Sequence, residues 1–201
     1  ISYPSFQTSD TVSAANGGTF AGNVEHTGTL TTSSDLNAGT IKNASGTNTA
    51  MTIDTNGVVS TPARPAFSAY KDSTTSEGLT GTIVFNGTYS NVGGHYNTST
   101  GKFTAPIAGL YQFNFVGFGC NSTGGFQSVN TSVYPTLRND ITSAILVRSY
   151  AYVATAMHPC VSFSCMVPLA ANDVVKIDVG GQYVYSDASD IYLTFSGYLV
   201  G

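Results

Sequence analysis

The sequence predicts an all-β protein built as an antiparallel sandwich, and three observations carry that prediction. Apolar residues recur with period two along several segments, the connections between them are rich in Gly, Asn and Pro, and no stretch has a convincing helical period. In "YQFNFVGF" (111–118), Tyr111, Phe113 and Phe115 fall on one face while Gln112 and Asn114 fall on the other. In "DVVKIDV" (173–179), Val175, Ile177 and Val179 alternate with Lys176 and Asp178 in the same way.

Taken in chain order, residues 1–62 are polar and short-patterned, and they predict a β-rich stalk. The triplet "GTF" (18–20) returns as "GTL" (28–30) and "GTI" (39–41), followed by "MTI" (51–53) and the turn "DTNG" (54–57). Each unit offers one or two apolar side chains and a turn, which suits short strands. Such a unit buries too little surface to offset its own ordering entropy, so an ordered stalk implies packing against other copies of the chain. The junction is "STPARPAF" (60–67), where Pro62 and Pro65 resist regular pairing. Beyond it, residues 63–201 form the expected head. Its strands are "IVF" (83–85), "YQFNFVGF" (111–118), "SAILVRSYAYV" (143–153), "CVSFSCMV" (160–167), "DVVKIDV" (173–179) and "IYLTFSGYLV" (191–200). This length suffices for one hydrophobic core.

Composition excludes several functions. Only 9% of the 201 residues are charged, and the net charge is -4. Lys42, Arg64, Lys71, Lys102, Arg138, Arg148 and Lys176 are scattered singly, so no nucleic-acid surface is expected. No apolar run approaches the roughly 20 residues that span a bilayer, so no membrane insertion is expected. "ISYPSFQTSD" shows neither a basic n-region nor an apolar h-region, and a chain opening on Ile is consistent with a processed or truncated product. Cys120, Cys160 and Cys165 are odd in number and lack a CxxC pair, which favours buried free thiols over a disulfide framework. Cys160 and Cys165 would lie on opposite faces of one strand, a placement that disfavours a bridge between them. His158 near Cys160 has no further ligand pair, so no metal site and no cofactor is expected.

From Phe85 onward the aromatic spacing runs F-x5-N-x4-Y-x6-F-x5-G-x-Y-x-F-x-F, through Phe85, Asn91, Tyr96, Phe103, Gly109, Tyr111, Phe113 and Phe115. "PAFSAY" (65–70), "VPLAANDVVKIDV" (167–179) and "LTFSGYLV" (193–200), with Phe195 and Gly197, flank it. This arrangement resembles the C1q-like domain, the head module of the C1q/TNF superfamily, over residues 63–201. The resemblance implies an antiparallel jelly-roll sandwich and a compact homotrimer. The signature aromatics then belong to the core, and Gly109 relieves a tight turn by its missing Cβ or a positive φ. Tyr192, Thr194, Ser196 and Tyr198, on the opposite face of the last strand, are the candidate trimer interface. Some relatives carry calcium between the strands around 150 and 161, but "AYVATAMHPC" holds no carboxylate there, so that site is not carried over. No Gly-X-Y collagen repeat precedes the head. The Ser/Thr/Asn-rich segment, and "NASGTNTAMTIDTNGVVSTPARPAF" (43–67) in particular, instead resembles the shafts of bacteriophage tail fibres.

The leading expectation from that second resemblance is a trimeric virion appendage: a phage tail fibre, receptor-binding protein or head fibre at the particle surface. Its N-terminal segment would join other virion proteins, and its head would touch a host surface protein or saccharide. Tyr134, Tyr183 and Tyr185 are the candidate receptor-binding platforms, against packing between strands as the simpler reading. The alternatives are a secreted eukaryotic C1q-like receptor ligand and a purely structural capsid or tail decoration. Five sequons, at Asn43, Asn86, Asn97, Asn121 and Asn130, would distinguish the secreted reading if occupied. No enzyme is expected. Asp187 and Asp190 in "SDASD" are the one close acidic pair of the head and suit a polar turn, while His26, His95 and His158 lack a neighbouring nucleophile pattern.

Overall fold

The computed structural model describes residues 40–42, 49–75, 77–128 and 130–201. Most of the expected stalk, with its triplets at 18–20 and 28–30, His26 and the Asn43 sequon, lies outside the described residues. Residues Gly39–Gly201 make one compact unit, all-β and without a helix among the described residues.

Strands β1 (Thr40–Lys42), β2 (Thr49–Ile53) and β3 (Val59–Ser60) form a small antiparallel sheet. Its "DTNG" turn is closed by the Asp54 carboxylate, which accepts the backbone N–H groups of Asn56 and Val58 at 2.8 Å each. The head follows as β4 (Ala66–Tyr70), β5 (Glu77–Thr82), β6 (Gly87–Val92), β7 (Tyr96–Asn97), β8 (Lys102–Thr104) and β9 (Gly109–Cys120). It continues through β10 (Thr131–Val133), β11 (Thr136–Asn139), β12 (Ile145–Arg148) and β13 (Ala151–Val153). The long β14 (Cys160–Leu169) and β15 (Val174–Ser186) and the closing β16 (Thr194–Leu199) complete it.

One layer runs β6-β4-β16-β9-β14. The other is built around β15, which pairs with β8, β11 and β5, while β12 lies on β11 and β7 on β8. All of these pairs are antiparallel. The layers join where β15, after a register shift between Val179 and Val184, pairs with the end of β9 at Tyr183↔Cys120. The result is a two-layered antiparallel sandwich of the jelly-roll kind that the resemblance implies. Two sequence expectations shift in detail. "SAILVRSYAYV" is two strands, because β12 pairs with β11 while β13 leaves for β10. "IVF" is buried at Ile83 and Phe85 but bonds outside the ladder, through Ile83 N–H to the Ile177 carbonyl at 2.9 Å.

The core lies between the two layers and is mostly aromatic. Phe85, Phe103, Tyr111, Phe113, Phe115 and Phe195 are fully buried, and Tyr96 nearly so. Phe67 on β4 reaches across the layers: its ring stacks on Tyr96 at 4.8 Å and on Phe103 at 5.0 Å, and meets Phe195 edge-on at 5.0 Å. Such offset and T-shaped contacts suit ring quadrupoles better than a face-to-face sandwich. Asn91 has a different task from the aromatics that flank it in sequence. It is half-buried, donates from Nδ2 to the Tyr96 carbonyl at 2.8 Å and accepts the Tyr96 N–H at 3.1 Å, so it pins the β6–β7 turn. The Tyr96 hydroxyl in turn donates to the Phe85 carbonyl at 3.3 Å, and burial raises its pKa. Gly109 has no positive φ. A Cβ there would stand 2.6 Å from Leu199 Cδ1, so close approach of the C-terminal segment is what requires glycine.

Candidate functional site

Two surfaces of the head stand out, and both follow from the register of the β4-β16-β9-β14 layer. Since Tyr111, Phe113 and Phe115 point inward, Gln112, Asn114, Val116 and Phe118 point outward. Register sets Tyr198 beside Gln112, Ser196 beside Asn114 and Thr194 beside Val116, while Met166, Ser164 and Ser162 line up on the other side. These rows carry no charged side chain. Their centre is a side-chain ladder: Gln112 Nε2 donates to Ser164 Oγ at 2.8 Å, and Ser164 Oγ donates to Asn114 Oδ1 at 2.9 Å. Apolar side chains flank it, with Met166 61% exposed, Tyr198 45% and Val116 44%. Of the four candidate interface residues, Thr194, Ser196 and Tyr198 therefore share this outward face, while Tyr192 precedes β16 and lies beyond its end.

At one end of this face, past Val116 and Thr194, four aromatic side chains line an open cleft of about 250 Å³: Phe118, His158, Tyr185 and Tyr192. Their rings form a continuous arc. His158 lies 4.7 Å from Tyr185, Tyr185 lies 5.5 Å from Tyr192, and Tyr192 meets Phe118 edge-on at 5.7 Å. Phe126, 62% exposed, extends the arc from His158 at 5.0 Å. The His158 ring is aimed by Nδ1–H donation to the Gly119 carbonyl at 3.1 Å. Two carboxylates stand behind the phenols. Tyr185 donates to Asp187, and Tyr192 donates to Asp190 Oδ2 at 3.4 Å. The Asp190 charge is the main cause of a raised Tyr192 pKa. Asp187 also accepts the Ser189 N–H at 2.8 Å, which closes the "SDASD" turn.

The three tyrosines singled out in the sequence do not come together. Tyr185 lines the cleft. Tyr134 lies on another surface, with the Arg148 guanidinium carbon 5.2 Å from its ring centroid. Tyr183 is half-buried opposite Cys120, where the layers join. Phe118 and His158 escaped sequence reasoning as cleft residues, and Tyr192 was assigned to the interface face alone. The available signal was "YVYSDASDIY", which carries Tyr185 and Tyr192 into one acidic turn. His95 packs in the β6–β7 turn, where its Nε2 occupies the space a Gly93 Cβ would need. All three cysteines are free thiols. Cys120 is buried, which pushes its pKa up to about 12, whereas Cys160 is exposed because strand alternation turns it outward beside Phe118. No group of His, Cys, Asp and Glu able to hold a metal occurs among the described residues.

Comparison with known proteins separates the two sequence resemblances. The chain is 27% identical over 122 residues to complement C1q tumor necrosis factor-related protein 6 of Rattus norvegicus and to its Mus musculus counterpart. Each alignment takes in 59% of this chain and 42% of the relative, so the chain spans less than half the length of the curated proteins it matches. Among solved structures, the globular domain of zebrafish complement 1qA superposes with a TM-score of 0.52 at 19% identity, covering 68% of this chain and 98% of that one. Eiger TNF from S. frugiperda gives 0.54 at 9% identity, covering 69% and 94%. These structural likenesses show the fold. The mammalian relatives overturn the bacteriophage expectation: tail fibre, head fibre, capsid decoration and virion localisation are all withdrawn. The physical reason is the weakness of the shaft signal. A Ser/Thr/Asn/Gly-rich segment reports only a solvated, turn-rich backbone, which many unrelated chains share, whereas the aromatic spacing reports one packed core. The model of the C1q domain matches residues 66–200, and the protein belongs to the C1q domain family.

Proposed function

We propose that this chain is a secreted eukaryotic C1q-like ligand for a cell-surface receptor, acting as a homotrimer and by binding rather than catalysis. Membership of a family with mammalian relatives is the observation that carries the reading. C1q/TNF domains generally form homotrimers, and the charge-free outer rows around Gln112, Asn114, Ser164 and Ser196 supply a face on which three copies associate without burying a charge. The N-terminal segment through β3 serves as the stalk of that assembly. Three linked heads then multiply modest single contacts. Binding is favoured over chemistry because the cleft is lined by aromatics, with its neighbouring carboxylates engaged by phenol donors.

Secretion is tested by expressing the full chain behind a signal sequence in animal cells and measuring the intact mass of what reaches the medium. Asn86, Asn97 and Asn130 are exposed sequon residues. Release of a chain whose excess mass an N-glycosidase removes supports the reading. Intracellular retention, or a released chain bare at every sequon, opposes it.

A further inference from the structure

We infer that the aromatic cleft of Phe118, His158, Tyr185 and Tyr192 is a binding site for a methylated ammonium group of the quaternary kind carried by choline. This goes beyond the proposed receptor-ligand role and does not rest on it.

The first observation is the ring arrangement. Four rings follow one another at 4.7–5.7 Å around a common hollow, and a fifth, Phe126, stands exposed at its rim. Rings that merely fill space are covered by other atoms. Here they leave an open volume of about 250 Å³. That is below the roughly 300–1,000 Å³ of pockets for drug-sized ligands, so the space suits a compact head group.

The second observation is charge. Among the described lining residues there is no lysine or arginine, while Asp187 and Asp190 accept hydrogen bonds from the two phenols of the arc. A phenol donating to a carboxylate holds more electron density on its oxygen and ring, which strengthens the attraction between its face and a cation. A methylated ammonium brings diffuse positive charge, apolar methyl surface and no hydrogen-bond donor. It therefore gains from the rings and the carboxylates without needing an acceptor inside the cleft. A neutral saccharide is disfavoured by the same geometry, since the Tyr185 and Tyr192 hydroxyls already donate to the turn behind them. An anion would be disfavoured by the two carboxylates hydrogen-bonded to the phenols.

The test is titration of the full chain, in its native assembly, with choline, with its uncharged isostere 3,3-dimethyl-1-butanol and with galactose, followed by calorimetry and ligand-observed NMR. Saturable choline binding is expected, with the isostere about 3- to 30-fold weaker, the range that a single cation–π contact supplies. Tyr192→Leu, which keeps apolar bulk but removes the ring, should weaken choline by a similar factor. Asp190→Asn should weaken it too, and because Asp190 is exposed in a turn this variant keeps the fold if Tyr192→Leu does not. Equal affinity for choline and its isostere would reduce the cleft to an apolar hollow and overturn the proposal. Galactose binding that choline fails to displace would overturn it as well, as would silence from all three ligands. Wild-type choline affinity in a normally folded Asp190→Asn protein would remove the electrostatic half of the inference and with it the choice of a cation.

Discussion

Replacing Gly197 by alanine places a methyl group where two aromatic rings already stand. Gly197 is an inward position of β16, paired with Phe113 on β9 and Phe67 on β4. A Cβ built there lies 2.5 Å from Phe113 Cδ1, 2.7 Å from Phe113 Cε1 and 2.9 Å from Phe67 Cε1. Favourable carbon–carbon contacts sit at about 3.5–4.0 Å, so the deficit is roughly 1 Å against Phe113. Neither ring is free to retreat. Phe113 is stacked on Phe195 at 5.9 Å and meets Phe103 edge-on at 5.8 Å, while Phe67 is stacked between Tyr96 and Phe103. Relief requires an off-rotamer ring or displaced strands, and overpacking of this kind costs about 1–3 kcal/mol. For a chain of this size each kcal/mol lowers the melting temperature by about 2–4 °C, so a drop of about 2–12 °C is expected. Thermal melts followed by far-UV circular dichroism, at matched protein concentration because assembly shifts the midpoint, measure it. A second substitution identifies the cause. Phe113→Val removes the two nearest of the three clashing atoms, so the double variant should be less destabilised than the sum of the singles by about 0.5–3 kcal/mol. A Gly197→Ala protein that melts with the wild type, or a pair whose effects simply add, would refute the packing argument.

The other predictions are shorter. Tyr111→Ala and Phe113→Ala each truncate a fully buried ring and should each cost about 3–5 kcal/mol, read from denaturant midpoints; near-wild-type values would undo the core assignment. Asn91→Ala removes two hydrogen bonds to Tyr96 and should cost about 1–3 kcal/mol, most of it from half-buried backbone groups left unpaired. Asp140 is held below its ordinary value of 3.8 by hydrogen bonds from Lys102 and then Lys176, each at 2.7 Å. Its contribution is therefore present above that value and lost as pH falls through the lowered one, so the melting difference between wild type and Asp140→Asn should shrink only below about pH 4. Light scattering on residues 63–201 and on the full chain should give a trimer in both, and Asn114→Lys, which sets a charge in the uncharged ladder, should dissociate it. A monomeric head beside a trimeric full chain would move assembly into the N-terminal segment.

Legibility in the sequence tracked how local the determining physics is. Alternation along β9 and β15 was readable because inward and outward residues follow one another in the chain, and burial enforces the difference at Phe113 against Asn114 or Ile177 against Lys176. The split of residues 143–153 was not readable, since it depends on which distant strands β12 and β13 pair with. Asn91 sits within an aromatic signature yet bonds the Tyr96 backbone, a task that spacing leaves open. The cleft was the least visible feature. Phe118, His158 and Tyr185 come from three separate segments, and only the pairing of β9 with β14 and β15 brings them to one cleft. Tyr134 and Tyr183, equally attractive as exposed aromatics in the sequence, were carried elsewhere by the same pairing.

The register also fixes where the cleft lies relative to the junction with the N-terminal segment. β4 enters the layer at Ala66, beside Tyr198, and leaves it at Tyr70, beside Thr194. The entry end is tied down: Leu199 N–H donates to the Pro65 carbonyl at 3.0 Å, and the Arg64 guanidinium donates to the Val200 carbonyl. Tyr192 and Phe118 lie past the opposite end, so four residue steps of about 3.3 Å, on the order of 13 Å, separate the junction from the edge of the cleft. The described junction therefore meets the head at one end of the β4-β16-β9-β14 layer, and the aromatic arc lies at the other. Moving the cleft ligand's effect to the junction would require strain to travel along the packed Phe67–Phe113–Phe195 stack. Rigid packing there predicts that ligand binding and assembly vary independently: Asn114→Lys alone should change the mass and leave choline affinity, and Asp190→Asn alone should do the reverse.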